Sequence, residues 1–116
     1  MKVLNWIIAL CGLWEFADII LPFVIGFVAV QAFVWNHIVV GLILMLAGAR
    51  AALTSNVRTA RTMNWMAALA GIWLIVATFL LRDLPTTAGL WNDLIVGVIV
   101  VILGVWAALA LPRGAG

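Results

Sequence analysis

Charge is what this chain has least of. Only 9% of its 116 residues are charged, 68% are hydrophobic and the mean hydropathy is +1.32. That leaves too little polar surface to cover a water-soluble domain. The six Lys and Arg and four Asp and Glu are scattered, so the basic stripe that recognises nucleic acid is missing and nucleic acid is not expected as a partner. A single cysteine, Cys11, rules out an intramolecular disulfide and reads as a small packed hydrophobe. A nucleophile beside a base, a His and Cys set at ligand spacing and a phosphate-binding loop are also missing. The expectation is therefore no enzyme, no metal and no cofactor. The first dozen residues lack an Ala-x-Ala-like cleavage site, and Leu10 where a lipobox needs a small residue speaks against a lipoprotein signal.

What is present is apolar length. A membrane-spanning helix takes about 20 residues, and runs of that order predict spans over 3–30, 35–53, 64–81 and 91–111. All four should be helical, because lipid cannot satisfy exposed backbone groups and the runs show no alternation of polar and apolar positions that a barrel would need. Nearly the whole chain is consumed, leaving no room within it for a soluble catalytic domain.

The second half repeats the first. At an offset of 59, Asn5, Trp6, Ala9, Leu10, Gly12 and Trp14 match Asn64, Trp65, Ala68, Leu69, Gly71 and Trp73. At an offset of 56, Phe23, Trp35, Asn36, Gly41 and Gly48 match Phe79, Trp91, Asn92, Gly97 and Gly104, and 51–53 matches 107–109. The difference, 59 − 56 = 3, is almost one helical turn added to the first copy between Trp14 and Leu21, a stretch holding Glu15 and Asp18. The expected fold is an all-α membrane protein of four transmembrane helices. Repeat 1 (3–53) and repeat 2 (64–111) form tandem helical hairpins in one transmembrane domain, joined by a cytoplasmic loop (54–63). With two spans per copy, the copies enter the membrane in the same sense, related by a pseudo-two-fold along the membrane normal.

Each helix is expected to start at an Asn beside a Trp. Asn5, Asn36, Asn64 and Asn92 would cap the first turns, while Trp6, Trp35, Trp65 and Trp91 anchor at headgroup level. Lys2, Arg50, Arg58, Arg61 and Arg113 fall on one side and Arg82 on the other, with short loops around 31–34 and 82–90. This predicts a multi-pass protein of a prokaryotic cell (inner) membrane with both termini cytoplasmic. Arg58 and Arg61 read as topology signals and phospholipid contacts.

Around Gly12-Leu13-Trp14, residues 21–27 and residues 35–41 the sequence resembles the SPW-repeat family of small bacterial and archaeal membrane proteins. The Ser-Pro-Trp element that names the family stands here as Leu21-Pro22-Phe23 and Ala77-Thr78-Phe79. The resemblance rests on the Gly-x-Trp and Trp-Asn elements and on the duplication, and covers nearly the whole chain. It implies a four-helix, two-hairpin membrane protein and no particular chemistry.

Glu15 and Asp18 are the strongest functional candidates. Carboxylates in a spanning helix cost a few kcal/mol each and face a bundle interior, water or a partner. Three residues apart, they share a face, and serve either as a docking point for another subunit or as a proton or cation path. Leu74 stands opposite Glu15 in the second copy, which disfavours a symmetric pore. His37 is expected at the interface in the first turn of its helix, aligned with Asp93 and without a second ligand at metal spacing. Gly41 with Gly48, and Gly97 with Gly104, lie two turns apart and predict a close seam between the second and fourth helices, a pattern that a homodimer interface would share. Gly12 and Gly71 relieve crowding on the other two. Pro22 should kink or end a turn.

The functional expectation is a non-enzymatic structural or accessory subunit packing against a larger membrane complex, respiratory or photosynthetic ones included. Its partners are the lipid bilayer and other membrane-protein subunits or further copies of itself. The second reading is a small oligomeric channel or transporter using Glu15 and Asp18.

Overall fold

The computed structural model describes residues 2–24, 31–80 and 87–111. It is all-helical: α1 (Lys2–Val24), α2 (Gln31–Leu53), α3 (Val57–Leu80) and α4 (Thr87–Ala110). Three segments are long and apolar enough to cross a membrane, namely Trp35–Leu53, Val57–Leu80 and Trp91–Ala110. The molecule measures 49 × 24 × 18 Å, and a bilayer with its headgroups is about 40–45 Å thick.

The helices form a ring in chain order. α1 packs most closely on α2 and α3 on α4, while α2 with α3 and α4 with α1 close the circle. Glycine sets the tight pairs. Gly12 lies against the backbone of Gly41 and Met45, and Gly48 against Asn5 and Ala9. In the other pair Gly71 meets Gly97 and Val101, and Gly104 meets Asn64 and Ala68. Residue numbers rise on one helix as they fall on its partner, so both pairs are antiparallel. The close seam expected between α2 and α4 therefore lies elsewhere: each glycine helix packs on its own chain neighbour. Where a glycine has no Cβ, the partner helix's backbone approaches to within the space a methyl would fill, which a diagonal pair in a four-helix ring cannot do.

Inside the ring sits an apolar core of Ile8, Val40, Leu44, Ala47, Ala67, Ala70, Leu74, Val96 and Val100. Large apolar side chains such as Leu10, Leu46, Leu69, Ile102 and Leu109 face outward. This inverts the economy of a soluble domain and suits a hydrocarbon solvent.

Several helix starts differ from the sequence reading. Asn5, Asn36, Asn64 and Asn92 all lie inside their helices, Asn64 about two turns after Val57, so none caps. Most of the expected loop 54–63 is helical. There Asn56 is the cap: its Oδ1 accepts the Thr59 amide at 3.1 Å, and its own amide donates to Thr54 Oγ1. Residues 31–34 and 87–90 are likewise helical. Pro22 falls near the described end of α1, and Arg82, Asp83 and Arg113 lie outside the described residues. Lys2 Nζ donates to the carbonyls of Ala52, in the last turn of α2, and of Thr54 just past it, and Arg61, on α3, donates to Leu111 O at 3.4 Å beyond α4. Cations thus sit on the orphan carbonyls of the neighbouring helix end. Lys2 and Arg61 are themselves 59 residues apart.

Candidate functional site

Six polar or charged residues are buried among the described residues: Asn5, Glu15, His37, Asn64, Thr78 and Asp93. Glu15 on α1 and His37 on α2 are fully buried, and Asp93 on α4 is 1% exposed. The imidazole lies between the acids: Nδ1 is 3.0 Å from Glu15 Oε2 and Nε2 is 2.8 Å from Asp93 Oδ1. One ligating atom from each residue falls within 4.8 Å of the others. Three helices therefore contribute one ionisable group each to a single point.

Helix geometry accounts for the meeting. Gly12 lets α1 approach α2 one turn below Glu15, and Gly41 lies one turn beyond His37, so the two backbones close just beneath the pair. His37 and Asp93 both lie six positions into their helices, α2 starting at Gln31 and α4 at Thr87. This is also why His37 is not a first-turn residue, as its sequence context suggests: α2 begins at Gln31, about one turn earlier than Trp35-Asn36 implies.

A second layer surrounds the three. Trp14 Nε1 on α1 donates to Asn92 Oδ1 on α4 at 2.7 Å, and Asn92 Nδ2 lies 3.4 Å from Asp93 Oδ1. Trp73 Nε1 on α3 donates to Asn36 Oδ1 on α2. The two tryptophans are 59 apart and the two asparagines 56 apart, so the same bond is made twice by repeated residues. Each Trp keeps about 45% of its surface exposed, its ring outward and its N–H on the polar layer. Leu74 of α3, which the repeat aligns with Glu15, is fully buried in the apolar core.

The site lies about 9 Å from the N-terminal ends of α2 and α4, at the 1.5 Å rise of a helix. Toward the 54–56 linker, the described interior is sealed by Ile8, Leu44, Ala67 and Val100, all fully buried. An apolar plug of this kind holds no water chain. Beyond it, nearer the linker, Asn5 and Asn64 are buried, each with its Oδ1 lacking a hydrogen-bond partner among the described residues.

Of the candidate residues, Glu15 is brought onto His37 and Asp93. Its expected companion Asp18 has its side chain outside the described residues. Glu15 is buried within the ring and so offers no outward docking face. Trp6, Trp35, Trp65 and Trp91 are exposed, between 41 and 58%. Asp93 was visible in the sequence only as the partner of His37 under the repeat. That alignment was the available signal.

The family model for the SPW repeat domain matches residues 2–107. No curated protein and no solved structure matches the chain.

Proposed function

The chain belongs to the SPW repeat family, and on that premise we propose that it is a non-enzymatic four-span membrane protein serving as a structural or accessory subunit of a larger membrane complex. The observation that carries this reading is the distribution of polarity. The described acids and the histidine meet at one buried point, the described cations lie toward the 54–56 end, and the large side chains exposed along the helices are apolar. A surface of that kind is suited to lipid and to other transmembrane helices, and the only described linker, 54–56, is too short to hold a substrate site.

Duplicated contacts support a pseudo-two-fold along the membrane normal. Trp14–Asn92 repeats as Trp73–Asn36, and Gly12–Gly41 as Gly71–Gly97. By that relation α1 is the fourth span, and its extra turn and its acid are where the copies diverge. The cationic end carrying Lys2, Arg50, Arg58 and Arg61 is the cytoplasmic one, in a prokaryotic inner membrane.

The buried acid–histidine–acid point favours one alternative, a small oligomeric channel or transporter with Glu15 on a proton or cation path. Within one chain the apolar plug opposes it. Mass determination of the gently solubilised native particle, with identification of companions, separates the two. Unrelated subunits in fixed ratio support the accessory reading. A pure homo-oligomer whose reconstituted ion flux is abolished by Glu15→Gln would replace it.

A further inference from the structure

We infer that Glu15, His37 and Asp93 form a binding site for a single divalent first-row transition ion, of which Zn²⁺ is the type. Three observations converge on it. First, the donor set is one imidazole nitrogen and two carboxylates, each from a different helix and each at least 99% buried. One nitrogen with few oxygens suits zinc, manganese, iron or cobalt. Calcium takes six to eight oxygens, and magnesium keeps its waters.

Second, the spacing is within reach. The three donor atoms lie within 4.8 Å of one another, whereas a tetrahedral ion with bonds near 2.1 Å holds its ligands about 3.4 Å apart. Inward movements of roughly 1 Å, available to side-chain torsions alone, close the difference. Third, the surroundings orient the ligands. The two carboxylates hold the His37 ring by its two nitrogens, so its plane is set before an ion enters, and the carboxylate on the nitrogen that binds the ion exchanges that contact for the metal. Asn92 approaches Asp93 and is itself held by Trp14. Two carboxylates in a low-dielectric interior carry a formal charge that one divalent cation neutralises, where two isolated anions would be costly.

The test uses the full chain in lipid nanodiscs at neutral pH, stripped with chelator and titrated with Co²⁺ alone, followed by optical absorption and competed with Zn²⁺. The expected result is one Co²⁺ per chain, displaced by Zn²⁺, with affinity at least tenfold weaker in His37→Gln and in Asp93→Asn and unchanged in Cys11→Ser. Circular dichroism shows which variants keep their helices. Where they do not, X-ray absorption of the Zn²⁺-loaded parent protein decides, and a first shell of nitrogen and oxygen is expected. No saturable binding by the folded parent protein, binding indifferent to His37→Gln, or sulfur in the first shell each overturns the inference. The first of these outcomes leaves protons as the counter-charge of the two acids. None of them bears on whether other subunits travel with the chain.

Discussion

Replacing Gly12 by alanine tests the principle on which the whole bundle is closed. In a helix interior the change alone should stabilise by up to about 1 kcal/mol, because glycine is the weaker helix former. Against that, the new methyl would lie 2.6 Å from Met45 N, 2.7 Å from Gly41 O and 2.9 Å from Leu44 Cβ. The first two are backbone atoms and cannot rotate away, so α1 and α2 must separate by several tenths of an ångström or more. Overpacking of this kind costs about 1–3 kcal/mol. The upper end applies, because separation also strips contact from Gly48, whose own methyl position is 2.6 Å from both Ala9 N and Asn5 O. Gly12→Ala and Gly48→Ala should each lose about 2 kcal/mol net. In the other pair the closest approaches to backbone are 2.9 Å, at Gly71 and Gly104 among others, and about 1 kcal/mol is expected at those two on the same scale. Reversible SDS unfolding in mixed micelles, followed by tryptophan fluorescence, measures all four. Gly12→Ala at parent stability, or losing less than Gly104→Ala, would refute the claim that backbone contact holds the pairs.

Three further outcomes follow from named contacts. His37→Leu deprives two buried carboxylates of their shared partner and should cost about 3–5 kcal/mol, whereas Glu15→Leu leaves His37 on Asp93 and should cost clearly less; SDS unfolding that gives the reverse order contradicts the bridging role of His37. Trp14→Phe and Trp73→Phe each remove one indole N–H bond between neighbouring helices, worth about 1 kcal/mol, and equal losses in the same assay are expected from the repeated geometry. Asn56→Ala removes the α3 cap at a cost of about 1 kcal/mol, read as faster amide exchange at Thr59, with unchanged exchange there as the contrary result.

How far the sequence reaches can be seen residue by residue. Four helices, three of them long and apolar enough to cross a membrane, were legible because apolar run length is a one-dimensional property, and a missing polar alternation excludes strands directly. Helix starts were not. The Trp-Asn pairs marked repeated positions, but repetition says only that a residue does the same job twice. The job of Asn36 and Asn92 is to accept indole N–H groups from Trp73 and Trp14 on other helices, a contact no local rule contains. Capping falls to Asn56, which belongs to no repeat.

The glycine seam shows the same division. Small residues two turns apart announce a close approach without naming the partner, and the partner is set by which helices adjoin in the ring. Glu15 is the sharpest case. An acid at mid-helix in an apolar chain signals a polar contact somewhere, and its spacing from Asp18 offered a companion on the same helix. The companion that burial selects is His37, reached because Gly12 and Gly41 bring α1 onto α2, with Asp93 supplied from α4. Read together, the offset of 56 that pairs His37 with Asp93 and the offset of 59 that pairs Glu15 with Leu74 describe a site whose four corners are two pairs of repeated positions. Three of those positions are ionisable and one is leucine. Duplication alone would have produced like facing like, Glu with Glu and His with His, and in an interior of low dielectric two such pairs repel or waste their hydrogen bonds. Divergence of the copies to acid, base, acid and hydrocarbon gives every ionisable group a complementary neighbour, so the asymmetry of the two halves is itself a condition for burying charge where this chain buries it.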